Sequence, residues 1–356
     1  MLRIVARPRV WLTAIVFLFG YALLAWPRAA AAGISRGLSI CGGVLLPSLF
    51  PFLVLSGFAV HSGISHAIGR RLSPVTRVLF GVSGTAAPLI LLAFIGGYPT
   101  GATAVAAAYR NGSLTDTEAR HLLRFCVCGG PAFIVGAVGA GLVGNTRFGW
   151  LLFTAHVSAA VLIGILTAPS RRAVATATSP ATPAFSPATA LVQAVTGACE
   201  TSLTVCGFIL TFSALLSLAD ACGLSAALGR AAVWLSCLLE VSNGCTVAVP
   251  HPAAPLLLGF TLGFGGLSVH CQVAAALHGT DLLTPSFFTA RLAHGLLGGL
   301  LTYALCRVVP HSLPTFNGTT APLVQPVAVS FPLAAALFLV CGIWMLCLPE
   351  PSPRKL

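Results

Sequence analysis

The chain has 356 residues; 57% are hydrophobic and only 7% are charged, and the mean hydropathy is +0.95. A soluble domain carries about 25% charged residues, so this composition excludes a soluble globular protein and marks an integral membrane protein. The net charge of +12 is nearly all arginine, scattered through loops between apolar runs, which excludes a nucleic-acid surface in favour of positive-inside bias.

Apolar stretches that approach the length of a membrane span fall at 10–26, 37–60, 78–95, 122–143, 148–168, 202–219, 231–249, 254–278, 287–309 and 329–348. They predict an all-α polytopic protein with about eight to ten membrane segments, some of them re-entrant. The expected organisation is an N-terminal helix (1–36), a first membrane repeat (37–168), a polar linker (169–190), a second repeat (191–309), and a C-terminal connection, helix and tail (310–356). Val10–Trp26 follows Arg3, Arg7 and Arg9 and precedes an alanine run, a pattern shared by a retained anchor and a cleaved signal; a polytopic plan favours retention. Pro47 and Pro51 should kink or break the next segment. Gly81–Tyr109, with Gly84, Pro88, Gly96, Gly97, Pro99 and Gly101, reads as two half-helices meeting at a turn. Thr115 and Glu118 have capping-box spacing, so Asp116 and Glu118 read as helix-start residues.

Cys126-Val127-Cys128 has no partner pair at zinc-site spacing, and the twelve cysteines are spread along apolar segments as small core residues. No metal and no cofactor are expected. His156, inside an apolar run, reads equally as packing or site, and Glu200 as interfacial.

Two glycine-rich interruptions, Gly96–Gly101 and Gly265–His270, break long apolar runs. Sliding 96–130 onto 265–299 without gaps gives identities at Gly96, Gly97, Ala106, Ala107, Leu114, Thr115, Leu123, Gly129 and Gly130. This suggests an internal duplication. Arg70, Arg71, Arg77, Arg110, Arg120 and Arg124 flank the first interruption, whereas the second half has Arg230 and Arg291 with Asp220 and Asp281. Opposite sidedness of the two sets of loops, and so inverted repeats, is the expectation. Lipid cannot satisfy a loosened backbone, so paired breaks point to a binding site between the halves.

Candidate site residues follow. Glu240, in Leu239-Glu240-Val241-Ser242-Asn243-Gly244, is a costly carboxylate among apolar stretches, suited to coupling an ion or holding a substrate, or else to an interfacial helix end. Ser242 and Asn243 accompany it. Gly266, Ser268, His270 and Gln272 stand where a helix start would favour an anion, and His270 suits a proton relay or a buried hydrogen bond. Gly97, Tyr98, Pro99, Thr100 and Gly101 hold the matching place in the first half. Arg291 suits an anionic group, a pair with Glu240 or a loop, and His294 follows on the same segment.

At these places the chain resembles the YlbJ-type sporulation integral membrane proteins of the wider nucleoside-recognition "Gate" group. The carrying stretches are Gly97–Ala102, Leu114-Thr115 with Glu118-Ala119, Phe125-Cys126 with Gly130-Pro131, Leu239–Gly244 and Gly266–Val273. The resemblance implies a protein of the bacterial cell membrane needed for spore formation, a transporter of small metabolites, with dipicolinate the family-based substrate. The residues themselves point to a small anion in a lipid bilayer and leave the oligomeric state open. The main reading is a transporter and not an enzyme. A non-transporting sporulation scaffold is the first alternative. An intramembrane hydrolase with Ser268 as nucleophile and His294 as base is the second.

Overall fold

The computed structural model describes residues 8–169 and 186–309, and among them every regular element is helical. The middle of the expected linker, with Arg171 and Arg172, and the expected last helix at 329–348 lie outside the described residues.

The chain opens with α1 (Pro8–Ala25) and α2 (Pro27–Ile40), which meet at a 98° bend where Pro27 starts the second helix. A π-helical turn, Cys41–Leu45, leads into α3 (Leu46–His61), with Pro47 in its first turn and Pro51 inside it. Helix α4 (Ile64–Phe80) ends at Gly81 and the chain turns by 108° into α5 (Ala87–Gly96) and α6 (Tyr98–Arg110). Then come α7 (Asp116–Phe125), an extended stretch, the π-helix Ala132–Leu142 and α8 (Thr146–Leu166). The second half runs through α9 (Pro187–Ala221), α10 (Leu224–Leu228), α11 (Ala232–Leu239), α12 (Val241–Ala248), α13 (Ala254–Phe264), α14 (Gly266–Ala276) and α15 (Pro285–Val308).

Two tight hairpins organise the centre. Helices α5 and α6 fold back on each other about Gly97, whose φ of 92° is open to glycine and strained for other residues. Their arms close because Gly101 faces Ala93; a Cβ on Gly101 would stand 1.9 Å from the Cys126 carbonyl oxygen. Helices α11 and α12 do the same about Glu240, with Gly244 against the backbone of Cys237. Each hairpin is followed by an interrupted helix: α7 breaks at 126–130 before the π-helix, and α13 breaks at Gly265 before α14. Each half then closes with a long helix, α8 or α15, and these pack on each other. Each half also begins with a long run, 27–61 or 187–221, and the two runs cross antiparallel: Gly33 sits on Ser213, and Gly57 on Ala194.

The order of elements therefore matches Gly97 with Glu240, and the 126–130 break with Gly265. The register read from identities, Gly97 on Gly266, is corrected: it set a hairpin tip against the kink of an interrupted helix. Repeated double glycines drove that alignment, because both features need glycine for different reasons.

The class expected from composition holds: this is an all-helical, polytopic membrane protein. Three segments, Thr146–Leu166, Pro187–Ala221 and Ala254–Ala276, are long and apolar enough to cross a bilayer, and two bent pairs bring the number to five among the described residues. This is fewer than the segments counted from hydropathy. The physical reason is that hairpin tips and breaks cut several apolar stretches into arms shorter than a span.

Candidate functional site

The hairpin tips meet across a small cavity. Its walls include Gly96, Gly97, Tyr98 and Pro99 from the first tip and Glu240, Val241 and Ser242 from the second. Gly130, Ala132 and Phe133 come from the first break, and Val269 and Gln272 from α14. Leu45, Leu49, Phe52, Val205 and Ile209 close the apolar side. About 40 Å³ is open to the centres of water-sized molecules, room for about three waters.

Glu240 is fully buried and caps its own helix. Its backbone is extended (φ −148°, ψ 129°), which ends α11 and starts α12. Oε1 accepts from the Ser242 N–H at 2.9 Å, and Oε2 from the Asn243 N–H at 2.7 Å and from Asn243 Nδ2 at 2.8 Å. Asn243 Nδ2 also donates to Ser213 Oγ on α9. These bonds offset part of the cost of burying a carboxylate. The helix-end part of the alternative reading of Glu240 is thus seen, with the carboxyl enclosed by protein.

Tyr98 sits in the first turn of α6 and donates its hydroxyl to the Leu262 carbonyl at 2.7 Å. Thr100 Oγ1 donates to the Gly96 carbonyl and Gly101 packs within the hairpin, so neither lines the cavity. Gly266 lies against the Glu240 backbone.

The remaining candidates are placed elsewhere. His270 is boxed by Phe264, Phe287 and Phe288, stacks on Phe288, and holds the Gly266 carbonyl through Nδ1 at 2.6 Å. It is not among the cavity walls. Ser268 accepts from Gln272 Nε2 at 3.3 Å, whereas His294 Nε2 faces the His156 carbonyl at 3.0 Å. The nucleophile–base pair imagined for a hydrolase is not assembled. Arg291 is neither loop-facing nor paired with Glu240. It is fully buried and donates to two carbonyls, Val127 in the first break and Gly263 just before the second. The guanidinium fork thus ties together the loosened backbones of both halves.

Reading the sequence missed the part played by the 126–130 stretch. It brings Cys128 beside His156 and His294, all three buried. The three residues are far apart along the chain, and this neighbourhood exists only in space.

Broken helices meeting at an internal cavity of an all-helical chain define the class: a polytopic integral membrane protein. Comparison with known proteins agrees. Residues 43–198 match the family model described as "Gate: Nucleoside recognition". The chain is 29% identical over 334 aligned positions, 83% of its own length and 82% of the relative's, to the sporulation integral membrane protein YlbJ of Bacillus subtilis (strain 168). The resemblance read from the residues is therefore shown. No solved structure matches the chain.

Proposed function

We propose that the protein transports a small anionic solute across the membrane and that the solute binds between the two hairpin tips. The observation that carries this reading is the shared cavity of Gly97–Pro99 and Glu240–Ser242. Helices α6 and α12 both begin there, with positive dipole ends that favour an anion; at α12 the Ser242 and Asn243 N–H groups are held by Glu240. Each such end contributes about 0.3–1 kcal/mol when exposed and up to about 2 kcal/mol in a partly buried geometry. Glu240 already occupies the end of α12, so a solute carboxylate competes with a tethered one. Protonation of Glu240 would free that end, which is a route to coupling solute entry to a proton. The cavity is far smaller than the roughly 300–1,000 Å³ of a ligand pocket, so binding requires the hairpins to separate.

We also propose that the halves are inverted repeats. Arg110, at the end of α6, donates to the carbonyls of Ala276 and His278 at the end of α14. With Gly97 matched to Glu240, these ends are not equivalent in the repeat, and their meeting on one side suits opposite orientations of the halves. The name of the Bacillus relative supports a role in spore formation.

The test is flux of candidate dicarboxylates into liposomes holding the purified protein. Glu240→Gln and Gln272→Leu should each lower uptake by about tenfold or more while insertion and yield stay normal. Unchanged uptake in both would remove the cavity from the mechanism, and background uptake by the parent protein would leave the scaffold reading in its place.

A further inference from the structure

We propose that Cys128, His156 and His294 form a binding site for one soft monovalent metal ion, copper(I), at the crossing of the two halves. The Cys128 sulfur and one ring nitrogen of each histidine lie within 4.8 Å of one another, and all three residues are buried. They come from three elements: the extended break after α7, α8 and α15. The two histidines hold corresponding places on the closing helices of the two halves, and their rings stack at 4.4 Å.

The hydrogen bonds fix what each ring offers. His294 Nε2 faces a carbonyl, which can only accept, so Nε2 carries the hydrogen and Nδ1 keeps its lone pair. That Nδ1 is buried and has no partner. This arrangement, with one ring nitrogen held by a carbonyl and the other free, is how ligating histidines are oriented. His156 Nε2 accepts from the Gly129 N–H at 3.0 Å, and its Nδ1 is likewise buried without a partner. His156 ligates through the Nε2 lone pair, which the Gly129 N–H gives up. Cys128 now donates its thiol to the Phe125 carbonyl at 3.1 Å. On binding, the S–H bond breaks, the sulfur–metal bond forms and the proton leaves to water, with no change of oxidation state.

The donors must close slightly. Bonds of about 2.3 Å to sulfur and about 2.0–2.1 Å to nitrogen set three donors roughly 3.5–3.8 Å apart, so the cluster contracts by about 1 Å. Charge selects the ion. Arg291 is fully buried and donates to the Val127 carbonyl next to Cys128. A thiolate with a monovalent ion adds no net charge beside that guanidinium, whereas a divalent ion adds one more positive charge to a site without a carboxylate. Thiolate and imidazole donors are also those that hold copper(I).

The experiment uses the full chain in detergent, handled without oxygen, with the exposed Cys199 and Cys222 changed to serine. Copper(I) is titrated against a competing coloured chelator. One ion per chain should bind, and Cys128→Ser and His294→Ala should each weaken it by more than about 100-fold, since even changes outside the ligand shell cost 10–100-fold. X-ray absorption of the loaded parent should show one sulfur and two nitrogen neighbours, a readout that stands even if a variant misfolds. Equal affinity in parent and Cys128→Ser, a shell of two or more sulfurs, or tighter binding of zinc(II) than copper(I) would each overturn the site.

Discussion

Tyr98 shows how much a single side chain carries here. Its hydroxyl crosses from the first half to satisfy the Leu262 carbonyl near the end of α13, where helix carbonyls lack intrahelical donors. Tyr98→Phe leaves that carbonyl bare in a buried place, at a cost of about 1–3 kcal/mol. Thermal unfolding in detergent should show a lower midpoint with the hairpin otherwise intact; an unchanged midpoint would mean water takes over the bond. Glu240 stood out in the sequence as a lone carboxylate in an apolar run; Tyr98 stood out by its place in the glycine-rich break, with packing and substrate stacking left open, and its hydrogen bond to Leu262 was not legible. The role of Arg291 was not legible. Its partners are backbone carbonyls, and nothing in a sequence says which carbonyls are unpaired.

At the scale of elements, α7 is held by its first turn. Thr115 and Glu118 form the reciprocal cap expected from their spacing, and Glu118 Oε1 also accepts from the Ser83 N–H at 2.7 Å, pinning the bend after α4. Burial alone would raise the pKa of this carboxyl, but hydrogen bonds from Ser83 and Thr115 outweigh it and hold the carboxyl below its ordinary range. A carboxyl lowered by folding stabilises the fold above its unfolded pKa of about 4.3, and that contribution fades as pH falls through the folded value. Amide exchange at the start of α7 should therefore quicken on acidification below about pH 4, and Glu118→Gln should remove that dependence. Persistence of the pH response in the variant would assign it to another group. The cap was readable because it is local. The hairpin about Gly97 was readable as a pair of half-helices, from its glycines and prolines. The break at 126–130 was read as part of the apolar run 122–143 despite Gly129, Gly130 and Pro131, and packing against α8 and α15 holds it extended.

For the molecule as a whole, the two long runs 27–61 and 187–221 form the frame on which the hairpins sit. Their crossing depends on close approach: a Cβ on Gly33 would stand 2.5 Å from the Ser213 carbonyl oxygen and 2.7 Å from the Ala214 Cα. Both are backbone atoms that cannot swing aside. Gly33→Leu should force the runs apart, costing more than the roughly 1–3 kcal/mol of ordinary overpacking, and size-exclusion of the expressed protein should show loss of the single folded species. Normal elution would mean the frame tolerates a wider crossing. The two glycine-rich interruptions were legible from the sequence, but the identities set Gly97 against Gly266, a hairpin tip against the kink of an interrupted helix.

The two hairpin tips are unlike in charge: one is a glycine, the other a carboxylate. The chamber between them is therefore electrically lopsided. The end of α12 carries its own carboxyl cap, while the end of α6 has no side-chain cap. Under the transport proposal, an anion entering the chamber would meet no carboxyl competitor on the glycine side.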